Sequence, residues 1–169
     1  MQDQDLDRIS SLVVHGGNHG PPFVLLVHRY GNGQSGDFAA QVVEHLEPRY
    51  LVELIDAAYD KLRPGAPIVL ETINPACWFA FFESYIRDLT HVRPVHPDTL
   101  KYLLIASGFQ RVEIQYRVPY PEADKLQPIG AGDPASTLRD TVETLNANVE
   151  KINRLLFSYM DYAAVGRRS

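Results

Sequence analysis

The chain has 169 residues, enough for one domain with its own core. With 45% hydrophobic and 22% charged residues it has the composition of an ordinary globular protein, and a net charge of −5 argues against nucleic acid or an anionic membrane as a partner. Cys77 is the only cysteine, so no disulfide framework exists, and no apolar run reaches the roughly 18 residues of a membrane helix. The acidic start, MQDQDLDR, is unlike a signal peptide, and a cytoplasmic protein is expected.

Residues 1–36 are atypical. Phe23–Val27 reads as a buried strand and Ile9–Val14 as a shorter one, and the Gly-, His- and Asn-rich flanks read as loops. Within them, Gly31-Asn-Gly33-Gln-Ser-Gly36 is a literal G-x-G-x-x-G. Such glycines can bring backbone N–H groups close to a pyrophosphate, which would make a nucleotide-binding module; a flexible loop is the plainer reading.

Residues 37–75 form the centre of the sequence. A short apolar strand at 37–41 is followed by Glu44-His45. A helix over Pro48–Arg63 comes next, with Leu51, Leu54, Ile55, Ala58 and Leu62 on one face. Pro64-Gly65 stops it, and Pro67–Ile73 is a second buried strand. The unit is β–α–β, with polar residues at the carboxyl ends of both strands, where open α/β sheets bind ligands.

Ala76–Arg87 is aromatic-rich and predicts a helix with one face in the core. Asp88–Pro97 is a polar loop, and Pro97 opens a helix with Leu100, Leu103 and Leu104 inward and Gly108 at its C-cap. Arg111–Val118 alternates as a half-wet strand, and 119–134 reads as a surface connection. From Pro134 a long helix carries Leu138, Val142, Leu145, Val149, Ile152 and Leu156 at 4-3-4-3-4 spacing. This seam, over 135–157, either packs along the domain or pairs with a second copy in a homodimer. Asp161–Val165 is a final strand, with Arg167 and Arg168 ending in solvent.

Several pieces in this order resemble class I S-adenosylmethionine-dependent methyltransferases: Phe38–Leu46, Lys61–Gly65, Ile68–Thr72, Asn74-Pro75, Thr90–Pro94, Ser107–Phe109 and Asp161–Val165. The likeness is particularly to bacterial domains of cell-surface polysaccharide synthesis. It covers residues 37–120 and 150–168, roughly two-thirds of the chain. It implies an α/β fold: a partial Rossmann-like sheet of parallel strands plus an antiparallel C-terminal strand lying beside 67–73 and 111–118. The domain would be 37–169, with a long C-terminal helix inserted at about 134–158.

The activity implied is methyl transfer from S-adenosylmethionine to an oxygen or nitrogen of a small-molecule or glycan acceptor. The resemblance places Ala39, Ala40 and Gln41 beside the cofactor, and His45 with Glu44 as base or anchor. Glu71, Asn74, His91 and Arg93 are candidate acceptor contacts. Two imidazoles and a carboxylate can also bind a divalent metal, which would join Glu44 and His45 to His91 and His96; Gln41 adds no charged ligand, and no metal is assigned. The family's Gly-rich cofactor loop and its acidic ribose contact have no counterpart in the 36 residues before Asp37. The chain thus resembles the C-terminal half of such an enzyme, and the alternative is a non-catalytic remnant or dimerising interaction module.

Overall fold

The computed structural model describes residues 9–15, 22–29, 35–130 and 137–169, with side-chain surroundings from Ala40 onward. Six strands form one sheet in the order β1-β2-β3-β4-β6-β5. They are β1 (Ile9–His15), β2 (Pro22–Arg29), β3 (Ser35–Ala40), β4 (Pro67–Ile73), β5 (Gln110–Pro119) and β6 (Tyr159–Arg167). β3 and β4 run parallel, pairing Asp37 with Ile68 and Ala40 with Glu71. β6 lies antiparallel between β4 and β5, as the resemblance implied. The sheet departs from expectation at its other edge. β1 and β2 form an antiparallel pair, and β2 adds antiparallel to β3, so β3–β4 is the sole parallel pair among the described strands.

The helix α1 (Pro48–Lys61) connects β3 to β4. Pro48 occupies its first turn, where a missing N–H costs nothing. Gly65 ends the turn at φ +80, a backbone conformation that favours glycine. α1 and α3 (Pro97–Ala106) cover one face of the sheet. Leu54, Ile55, Leu100 and Leu104 meet Ile68 and Leu70 of β4 and Tyr162 and Ala164 of β6, all essentially inaccessible. Each such leucine or isoleucine contributes about 1.5–3 kcal/mol on leaving water.

The predicted helix over Ala76–Arg87 is shorter and irregular. One α turn, α2 (Trp78–Ala80), passes into a π turn over Phe81–Tyr85. Only Cys77 and Ala80 of this stretch are buried, beside Ile73. Trp78 and Phe82 remain about half exposed, so the aromatic run does not lay a continuous face on the core.

α4 (Arg139–Leu156) buries none of its residues. The connection before it is strapped along the helix by two asparagine side chains. Asn153 accepts from Leu126 N at 3.0 Å and donates to Leu126 O at 2.8 Å; Asn146 does the same for Ile129 at 2.8 and 2.9 Å. The chain's end is also tied down rather than free. Arg168 donates through Nε to Tyr59 O at 2.6 Å and lies 4.9 Å over the Tyr59 ring, and Arg167 donates to Gly65 O. A guanidinium that both donates to a carbonyl and lies over an aromatic ring explains why Arg168 does not stay in solvent.

Gly108 follows α3 at φ +98, and a Cβ there would come within 3.0 Å of the Tyr59 ring. Gly108→Ala should therefore cost about 1–3 kcal/mol, the range for a non-glycine residue held left-handed, measured by chemical denaturation.

Candidate functional site

The polar residues gather where β3 and β4 end. β3 stops at Ala40, and Gln41 turns the chain at φ +52 while its N–H donates to Glu71 O at 2.9 Å. A short 3-10 turn, Val43–His45, follows. It swings Glu44 beneath the strand ends, where the residue is only 1% exposed. Thr72, from the end of β4, donates to Glu44 Oε2 at 2.7 Å. The other carboxylate oxygen, Oε1, is buried and has no hydrogen-bond donor among the described residues.

The loop 88–95 closes over this turn. Val92 N and Arg93 N both donate to Glu44 O, at 2.8 and 3.3 Å, and Tyr162 donates its hydroxyl to Val95 O at 2.7 Å. Burial and the Glu44 charge push the Tyr162 hydroxyl upward, so it remains a donor. At the loop's tip Thr90 donates through both N and Oγ1 to Asp88 Oδ1. These bonds hold the Asp88 carboxyl below its usual range, helped by His91 and His45.

This folding brings His91 to His45. Their ring centroids are 4.6 Å apart, and Tyr85 stacks on His91 at 4.7 Å. Burial, then the Glu44 charge, raise the Tyr85 hydroxyl above its ordinary value. Glu44, His45 and His91 each offer one ligand atom within 4.8 Å of the others. His96 is elsewhere: its Nδ1 accepts from Asp98 N at 3.2 Å as the N-cap of α3.

Beside this group Gln41, Glu71 and Asp161 form a second acidic patch. Glu71 and Asp161 are diagonal neighbours across the β4–β6 ladder. Burial raises the Asp161 carboxyl, the Glu71 and Glu44 charges add to the effect, and a Gln41 hydrogen bond opposes it. In the sequence Asp161 reads only as the first residue of the final strand. An acidic residue opening an otherwise apolar strand was the available signal.

The remaining candidates divide. Ala39 and Ala40 pair with Leu70 and Glu71 at the strand end. Asn74 is 2% exposed, donates to Tyr159 O and accepts from Ala76 N, so its amide is used in joining β4 to β6. Arg93 is exposed and lines, with His96, Leu51 and Leu103, a cleft of about 330 Å³ next to α1 and α3. Gly31 and Gly33 of the G-x-G-x-x-G lie outside the described residues.

Comparison with solved structures agrees with the sequence resemblance. A SAM-dependent methyltransferase from Archaeoglobus fulgidus matches with a TM-score of 0.68 and 37% sequence identity, over 77% of this chain and 57% of that one. A possible histamine N-methyltransferase from Thermotoga maritima matches at TM-score 0.49 and 10% identity, over 78% and 55%. A phosphoethanolamine N-methyltransferase from Haemonchus contortus, in complex with phosphomonomethylethanolamine and S-adenosylhomocysteine, gives 0.44 and 12% over 78% and 32%. No protein-family model matches the chain, and no curated protein does. The chain is thus similar to SAM-dependent methyltransferases and of methyltransferase ancestry, spanning just over half the length of the Archaeoglobus protein. Among the described residues no helix is long and apolar enough to cross a membrane.

The raised Asp161 carboxyl has a consequence for stability. The folded chain holds this proton more firmly than the unfolded one, so its contribution is fully present below the ordinary carboxyl value of 3.8 and is lost as pH rises through the raised value. Asp161→Asn should raise Tm at pH 7 by about 1–3 °C and leave it unchanged at pH 3, read by calorimetric scans at both pH values.

Proposed function

We propose that this chain provides the acceptor-facing half of a SAM-dependent methyltransferase, moving a methyl group to an oxygen or nitrogen of a small-molecule or glycan acceptor. The observation that carries the reading is the 37% identity to the Archaeoglobus methyltransferase over 77% of the chain. The polar residues at the carboxyl ends of the parallel pair β3–β4 support it, since ligands of α/β sheets bind at that edge.

The residues fit the cofactor's chemistry. Glu44, Glu71 and Asp161 lie close enough for the first two to raise the third, and such a negative field suits a cationic sulfonium. Ala39, Ala40 and Gln41 would border the cofactor, the two alanines leaving room at the strand end. When bound, S-adenosylmethionine supplies an electrophilic methyl group, and catalysis is then mostly positioning. His45 would take the proton of the acceptor, with Glu44 behind it. Glu71, His91 and Arg93 would hold the acceptor; Asn74 would act by joining β4 to β6. A cytoplasmic location is part of this proposal.

A second reading has an observation of its own. α4 buries no residue, while Leu138, Leu145 and Ile152 are 42–63% exposed. That apolar seam suits a homodimer or another interaction through the helix.

Calorimetric titration with S-adenosylmethionine and S-adenosylhomocysteine separates the two. Binding with a Kd on the order of 1–100 µM is expected from the methyltransferase reading. No heat at millimolar ligand, together with a dimer by sedimentation that Leu145→Glu dissociates, would replace it with the interaction module.

A further inference from the structure

The buried carboxylate at the sheet edge is incompletely satisfied. Thr72 donates to Glu44 Oε2, and Oε1 has no donor among the described residues. A buried charge in this condition is disfavoured unless something positive or hydrogen-bonding completes it. The imidazoles of His45 and His91 each bring a ring nitrogen within 4.8 Å of a Glu44 carboxylate oxygen.

Both imidazoles have their tautomer fixed by neighbours. His91 Nδ1 lies 2.7 Å from Tyr85 O, and a carbonyl oxygen only accepts, so the proton is on Nδ1 and the lone pair on Nε2. His45 Nδ1 lies 3.2 Å from Thr90 O and 3.0 Å from Thr90 Oγ1. Thr90 spends its own hydroxyl proton on Asp88 Oδ1 at 2.6 Å. Both Thr90 oxygens therefore accept from His45 Nδ1–H, and Nε2 again keeps the lone pair. Metal-binding histidines are oriented in this way, with the far ring nitrogen donating to a carbonyl or hydroxyl. Asp88 Oδ2 stands 3.9 Å from His91 Nε2 as a further anionic group.

We propose that Glu44, His45 and His91 form a binding site for one divalent first-row transition ion of the zinc or cobalt type. Two imidazole nitrogens and one carboxylate oxygen make a donor set that such ions prefer, whereas Mg²⁺ and Ca²⁺ select all-oxygen shells. Ligands of a tetrahedral ion with bonds of about 2.0–2.1 Å are about 3.4 Å apart. The donors here lie within 4.8 Å, so binding draws them inward, a movement that the half-exposed His45 can make. Three protein ligands leave one position for an oxygen of solvent or of an acceptor. His45 spends its one lone pair on the ion, so its role as base belongs to the ion-free chain; the ion's use in methyl transfer rests on the reading above, and the ion site itself does not.

The probe is Co²⁺, titrated into the chelator-stripped full chain and followed by visible ligand-field absorption. One ion per chain should bind saturably, and Zn²⁺ should bleach the signal. His91→Asn and His45→Asn should each weaken Co²⁺ at least tenfold, on the order seen when metal-site support is removed, and His96→Asn should not. Glu44→Gln should do the same, with circular dichroism confirming the fold. The proposal is overturned by the absence of saturable Co²⁺ binding, or by binding that both histidine variants retain. S-adenosylhomocysteine titration in excess chelator is read separately, so that loss of the ion site and loss of the methyltransferase reading give different results.

Discussion

One hydrogen bond, from Thr72 to the Glu44 carboxylate, sets the geometry of the sheet's working edge. It joins the end of β4 to the turn after β3, across the parallel pair. With the side chain held there, the Glu44 carbonyl is presented outward and receives Val92 N and Arg93 N. The loop that carries Asp88, Thr90 and His91 is fixed just after these residues, at Val92 and Arg93 by that carbonyl and at Val95 by the Tyr162 hydroxyl. A buried charge is a costly anchor, about 1–3 kcal/mol or more for each unmet polar atom. Its presence at the carboxyl end of the parallel pair, where an apolar residue would complete the core, supports the function proposed for this edge.

Much of the domain was legible because its signals are local. The Leu51–Leu62 spacing, Pro48 at the first turn of α1, and Gly65 and Gly108 at positive φ are all properties of short windows. The short β-branched run IVLETI likewise marks β4 as a buried strand. The antiparallel insertion of β6 between β4 and β5 was not a local signal; it came from the resemblance. The π turn at Phe81–Tyr85 was missed because aromatic residues carry hydrophobicity without periodicity: Trp78 and Phe82 read as core and lie half exposed. Arg168 was misread for the opposite reason, as its charged guanidinium itself sits over the Tyr59 ring.

The candidate site was legible by residue and not by grouping. Glu44, His45 and His91 were each visible, yet Thr90 stands 45 positions after His45, and no pattern announces that the two meet. Asn74 looked like a ligand contact because it is polar at a strand end, but its amide is consumed by Tyr159 and Ala76. Asp161 was overlooked because its partners, Glu71 on β4 and Gln41 just past the end of β3, are brought beside it only by the sheet order.

The asparagine strap along α4 works as a vernier. Asn146 and Asn153 are seven residues apart on a helix, about 10.5 Å at 1.5 Å per residue. Their partners, Ile129 and Leu126, are three residues apart, about 10 Å if extended at 3.3–3.4 Å per residue. The two scales coincide only at this offset, and both amides clip on together. A residue added or removed between the clips on either scale would leave one asparagine facing the wrong carbonyl. Length variation is thus confined to the stretch after Ile129, and the helix keeps its phase against the connection however that stretch changes.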